Sequence, residues 1–134
     1  MDYIKILTEN PNGVMATRDN EMIKTRVFQY LFSDENKAYF CTSSQKPVAS
    51  QMKQHPYVSF CTNLQNYCPV LSINGKVTFT DDENLKKKAF TVNPSLKQIY
   101  GSEKNPVFTL LYIDIEEIET FSYDEGPKKI TLSK

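Results

Sequence analysis

The chain contains no tryptophan, a single histidine, three cysteines and only four glycines in 134 residues, and neither sign of charge is in excess. Each scarcity excludes something. Lys+Arg and Asp+Glu both stand at 16, so no basic surplus points to nucleic acid and no Lys/Arg run points to a membrane surface. His55 alone cannot build a His-rich metal site. It also leaves a serine or cysteine nucleophile without a base elsewhere in the chain. Cys41, Cys61 and Cys68 are odd in number and include no Cys-x-x-Cys pair, so neither a disulfide framework nor a zinc ribbon is expected. The few glycines form no Gly-x-Gly-x-x-Gly, no phosphate-binding Gly-Lys-Ser/Thr loop and no Gly-x-Ser-x-Gly elbow. No apolar run approaches the ~20 residues that span a bilayer, and Met1 to Lys5 lack the apolar core of a secretory signal. The expectation is a cytoplasmic chain with no membrane and no nucleic-acid partner.

What is present alternates between apolar strands and polar turns. The length fits one domain over residues 1–134. Tyr3, Ile4 and Leu7 have the spacing of a short helix capped by Asp2, and Asn10-Pro11-Asn12-Gly13 ends it. Strands are expected at Val14–Thr17, Ile23–Phe32, Ala38–Thr42, Tyr57–Thr62, Val70–Thr80 (interrupted by Gly75) and Thr109–Phe121. In the second of these, Ile23, Thr25, Val27 and Gln29 share one face, and Lys24, Arg26, Phe28 and Tyr30 the other. A helix over Pro47–Gln54 starts with proline at its first position, where the missing N–H costs nothing. Thr80-Asp81-Asp82-Glu83 has a capping-box pattern that opens another helix, broken at Asn93-Pro94. Lys86-Lys87-Lys88 reads as a solvated helix face. The tail 122–134, polar apart from Ile130 and Leu132, is expected to be loosely held. The sum is a mainly β fold, a six-stranded antiparallel barrel with peripheral helices.

The stretch from Tyr39 to Phe60 carries the chemistry. Thr42, Ser43 and Ser44 close a strand, Lys46 follows, and a helix begins at Pro47. Free N–H groups and the positive end of the helix dipole then face one spot. Hydroxyl donors and an ammonium at that spot suit a phosphate. Alone, Lys46 is an ordinary surface lysine and Arg26 a solvated charge on a strand face. If the second and third strands are paired, Arg26 approaches the Thr42-Ser43-Ser44 turn, and the two cations and three hydroxyls converge on one dianion. Asp81-Asp82 and Glu116-Glu117 read as a cap and a strand end, and His55 as a residue at a helix terminus. The side chains supply no convincing acid–base set, so any difficult chemistry would belong to a bound cofactor. Cys41 and Cys61 lie within apolar strands as small hydrophobes, and Cys68 sits in a turn beside Pro69.

Five segments, taken in order, resemble the FMN-binding split-barrel proteins of the pyridoxamine 5′-phosphate-oxidase-like group. They are Val14-Met15-Ala16-Thr17, Thr25-Arg26-Val27-Phe28-Gln29, Tyr39 to Pro47, His55-Pro56-Tyr57-Val58-Ser59-Phe60 and Ser72-Ile73-Asn74-Gly75-Lys76-Val77. Among subgroups the chain is most similar to the small Nim-type nitroimidazole-resistance and general-stress flavoproteins. The resemblance implies a six-stranded split barrel that forms a homodimer with FMN in clefts between subunits. By position it implies that Arg26 and Lys46 bind the FMN phosphate beside Thr42, Ser43 and Ser44. Val27, Phe28 and Gln29 would run along the ring, and Gln51 would face the dimer cleft. Asn66, Tyr67, Ser72 and Phe121 would come from the other subunit. It further implies an FMN-dependent oxidoreductase acting on a small molecule. The alternatives are flavin binding or redox sensing without turnover, and a barrel whose cleft takes haem or a deazaflavin. The segment Gly126 to Lys134 has no Arg or His, unlike the vitamer-gripping end of true pyridoxamine-phosphate oxidases, so vitamin B6 oxidation is not expected.

Overall fold

A computed structural model of the chain describes residues 2–62 and 69–132. The chain opens with helix α1, Tyr3–Glu9, whose N-cap Asp2 accepts from the Lys5 amide at 3.0 Å. Strands β1 (Asn12–Asp19) and β2 (Met22–Gln29) form a hairpin around Asn20-Glu21, and Asn20 takes a positive φ of 55°. Asparagine tolerates that left-handed region better than most residues. β3 (Phe32–Asp34) and β4 (Lys37–Ser43) form a second hairpin, and helix α2 (Pro47–Gln54) leads into β5 (Tyr57–Thr62). After β6 (Val70–Thr80) come α3 (Glu83–Val92), the single turn α4 (Leu96–Tyr100), the long β7 (Phe108–Ser122) and β8 (Gly126–Thr131). No helix among the described residues is long and apolar enough to cross a membrane.

The expected class holds: one antiparallel sheet, curled on itself, with helices at its periphery. The expected strand count does not. The described residues form eight strands, ordered β2-β1-β5-β6-β7-β4-β3, with β8 also on β7. Two physical reasons account for the difference. The segment expected as one strand, Ile23–Phe32, changes partner midway. The Tyr30 amide still donates back toward β1 at Pro11 O (2.7 Å), but the Leu31 amide donates to Tyr39 O on β4 (2.9 Å). The polar tail, in turn, adds a strand because β7 is longer than β4. β4 covers the β7 edge from Phe108 to Asp114, and β8 covers the same edge from Glu117 to Ser122. Ile130 faces Ile118 across that ladder, and Lys129 pairs with Glu117 at 3.8 Å. Cross-strand pairs of this kind supply what the tail's composition lacks.

The barrel interior takes alternate residues of each strand, as period-two patterning requires. Met15, Phe28, Phe40, Phe60, Leu71, Ile73, Leu111, Ile113 and Ile115 meet there, with Met52 of α2 and Leu7 of α1. A second cluster forms outside the barrel where α3 and α4 cover β4 and β7, joining Tyr39, Ala89, Leu96, Phe108 and Leu110. β4 is therefore buried on both faces. β2 does the opposite of a normal surface strand. Its face with Lys24, Arg26 and Phe28 turns inward, whereas Ile23 and Val27 are 76% and 75% exposed.

Candidate functional site

The barrel leaves a split. β2 and β4 are not ladder neighbours, although their ends are joined near Leu31 and Tyr39. From there the strands diverge, and a cavity of about 510 Å³ opens between them. Arg26 to Gln29 form one wall, and Cys41 and Thr42 the other. The cavity's volume lies within the ~300–1,000 Å³ of ordinary small-molecule sites. An edge strand that is unpaired presents backbone N–H and C=O groups at every second residue. The β2 edge along the cavity is thus a ready row of polar contacts for a flat ligand.

Arg26 is aimed by its neighbours. In the hairpin register it lies opposite Met15, with Thr17 two residues further along the same inward face. One guanidinium nitrogen (Nη1) donates to Thr17 Oγ1 at 2.8 Å, and the other (Nη2) to Gln51 Oε1 at 3.1 Å. Thr17 Oγ1 in turn donates to Gln51 Oε1 at 3.1 Å. Both acceptors are uncharged and buried. Among the described residues, no ion pair includes Arg26 or Lys46. A half-buried cation held only by neutral groups keeps its full charge for an anion.

Lys46 arrives from the other wall. Thr42, at the end of β4, is 4% exposed, and the chain then turns: the Lys46 amide donates to Ser43 O and the Gln45 amide to Ser43 Oγ. α2 begins at once with Pro47, and no side chain caps its first turn. The uncapped end, Lys46 and Thr42 all border the same space as Arg26. Val48, Leu96, Ile99 and Tyr100 give that space its apolar part. Burial pushes the Cys41 thiol up to about 11, against a smaller downward pull from Lys46. The Tyr100 phenol is raised as well, first by burial and then by Cys41. Both are protonated, neutral walls at ordinary pH.

The sequence-predicted residues fall into five groups. Arg26, Val27, Phe28, Gln29, Thr42 and Lys46 line the one cavity. Ser43 and Ser44 lie in the adjoining turn, with the Ser43 hydroxyl engaged locally by Gln45. Gln51 lies beneath Arg26 as its hydrogen-bond partner. Ser72 and Phe121 line a separate pocket of about 300 Å³ beside Val70 and Lys129. Asn66 and Tyr67, like Cys68, lie outside the described residues. Sequence reasoning missed Thr17, Asn12, Cys41 as a wall, and the place on the cavity of the helical turn that reaches Tyr100. Thr17 carried a signal, a hydroxyl on the inward face of a strand whose inward neighbours are Gly13 and Met15. The position of α4 carried none, because nothing local ties residues 96–100 to residues 26–29.

Comparison with known proteins sets this geometry in context. A NimC/NimA family protein from Clostridium acetobutylicum has the same fold at a TM-score of 0.86 and 25% identity, over 97% of this chain and 90% of that one. General stress protein 26 from Bacillus anthracis gives 0.81 at 21% identity, over 96% and 95%. A pyridoxamine 5′-phosphate oxidase-related, FMN-binding protein from Nostoc punctiforme gives 0.61 at 15%, over 97% and 91%. Among curated proteins none matches. The family model described as pyridoxamine 5′-phosphate oxidase matches residues 3–122, almost the whole barrel, and the chain belongs to that family.

Proposed function

We propose that the split between β2 and β4 holds FMN and that the protein is a flavin-dependent oxidoreductase. The observation that carries this is the convergence of Arg26, Lys46 and Thr42, with no carboxylate among the described lining residues, on one cavity that also has apolar walls. That donor set fits a phosphomonoester: Arg26 for bidentate contact, Lys46 as a point charge, and the Thr42 hydroxyl and the α2 end as neutral donors. The unpaired β2 edge from Val27 to Gln29 fits the polar rim of a flat ring system. The Nostoc punctiforme relative is itself described as FMN-binding. When bound, a flavin supplies electron transfer between a donor and an acceptor. The chain's own residues bind and orient it, and Ile99, Leu96 and Tyr100 keep water from part of its surface. A reduced nicotinamide is the electron donor we assign, with a small molecule as acceptor.

The same reading gives the protein a second copy as partner. Val14, Ile23 and Val27 form an exposed apolar strip on the outer face of the β1–β2 hairpin, with Tyr57 on β5 and Phe121 on β7 also exposed on the sheet. A homodimer would cover the strip and bring the pocket of Ser72 and Phe121 toward the partner's cavity. A second reading, flavin binding or redox sensing without turnover, is favoured by one feature. The described cavity lining includes no Asp, Glu or His, and its thiol and phenol both stay protonated.

The first test is the visible absorption spectrum of the protein after incubation with FMN and gel filtration. Flavin bands travelling with the protein support the proposal, and a colourless protein rejects it. Consumption of NAD(P)H with quinone or nitro acceptors then separates the enzyme from the sensor.

A further inference from the structure

We propose that Thr17 and Gln51 are positioning residues that set the Arg26 guanidinium for a phosphomonoester, and so give the cavity its preference for phosphorylated over unphosphorylated ligands. This rests on the reading of the cavity as a flavin phosphate site. Three elements meet in the network: Thr17 comes from β1, Arg26 from β2 and Gln51 from α2. Three hydrogen bonds of 2.8 to 3.1 Å close it into a ring. The Thr17 hydroxyl spends its one proton on Gln51 Oε1, so only its lone pairs are left toward Arg26. Gln51 Oε1 accepts from both neighbours. The amide orientation is thereby fixed by its surroundings.

The geometry serves binding more than folding. Thr17 and Gln51 already satisfy each other, so a structural pair would not need the guanidinium. A carboxylate in place of Gln51 would hold Arg26 more strongly, but it would neutralise the charge that a phosphate needs. Neutral acceptors hold two of the five guanidinium N–H groups and leave three for a ligand. Gln51 also stands on the helix whose first turn follows Lys46. One rigid element therefore carries Lys46 at its start and the support of Arg26 one turn later. The side chain that would otherwise lose rotamer freedom on binding has lost it in the free protein.

Fluorescence titrations with FMN and with riboflavin, which lacks the phosphate, test this directly. Releasing one rotamer-rich side chain costs about a factor of 3 to 10 in affinity. Thr17→Val and Gln51→Leu are expected to lose FMN affinity by about that factor while riboflavin affinity stays unchanged. Thr17→Ser should restore FMN binding, and Thr17→Val should add nothing in an Arg26→Ala background. The arginines are Arg18 and Arg26, so their side-chain Nε signals are separable by NMR. The Arg26 signal should be restrained in the ligand-free protein and mobile in Thr17→Val. Should Thr17→Val not fold, Gln51→Glu keeps the size and the acceptor while neutralising Arg26, and it is expected to lose FMN and retain riboflavin. Equal losses for both flavins, or no loss for either, overturn the positioning role and leave the flavin site standing. A wild-type protein that binds neither flavin overturns the site, and the positioning role with it.

Discussion

Arg26 shows how burial decides between two readings of one residue. On an open strand face its charge would be solvated and inert. Here it lies on the inward face, held by Thr17 and Gln51, and among the described residues it is in no ion pair. Cys41 makes a different use of the same cavity. Its thiol sits at about 11 against an ordinary 9.0, raised by burial. The folded value lies above the unfolded one, so the contribution to stability is complete below pH 9 and is lost as pH rises through 11. Urea midpoints measured across pH 8–11 should fall more steeply for the wild type than for Cys41→Ser. Parallel curves would show that the thiol is not desolvated. Arg26, Lys46 and Thr42 were legible in the sequence because each stands next to a turn or strand signal that fixes its neighbours. The supporting Thr17 was harder to see, since its role depends on a side chain thirty-four positions away.

At the scale of elements, the sequence marked most strands through alternation, and β7 shows why that worked. Leu111, Ile113 and Ile115 point into the barrel as their period requires. The misreadings came where a partner, not the pattern, makes the strand. β8 is polar and forms because β7 offers an uncovered edge. β3 separates from β2 because the chain there switches partners, from β1 to β4. α4 took its place on the cavity through long-range packing against Phe108 and Tyr39, not through any local signal. Gly75 was visible as an interruption, and the structure gives its cause. It sits at the register shift between β6 and β7, where an added Cβ would collide with the Asp114 backbone carbonyl. Backbone cannot step aside as a flexible side chain can. Gly75→Ala should therefore destabilise the protein by about 1–3 kcal/mol, the usual range for overpacking. An unchanged urea midpoint would show that the bulge is not a close contact.

For the whole molecule, the inverted face of β2 is the informative feature. A strand that turns Lys24 and Arg26 inward, half-buried, and exposes Ile23 and Val27 has its apolar side waiting for cover. Contiguous apolar surface of this kind marks an interaction site. The cover we assign is a second copy of the chain, as the split-barrel resemblance implied. Sedimentation at micromolar concentration should give a dimer, and Ile23→Glu with Tyr57→Glu should give a monomer that still melts cooperatively. A monomeric wild type would reject the homodimer. The barrel class and the cavity-lining cations Arg26 and Lys46 could be read from local pattern. Strand order could not, since the second and third expected strands are not ladder neighbours. Covered and uncovered surfaces could not, because they depend on which strands close.

The proposed role of Arg26 and Lys46 is to turn the split of the barrel into a site for the phosphate of FMN. Its most direct measurement is the dissociation constant of FMN for the wild type and for the Arg26→Ala, Lys46→Ala double variant. Each charge-assisted contact is worth about 1.5–3 kcal/mol, so the double variant should lose at least about tenfold in FMN affinity, with riboflavin little affected. FMN bound equally well by both proteins would contradict it.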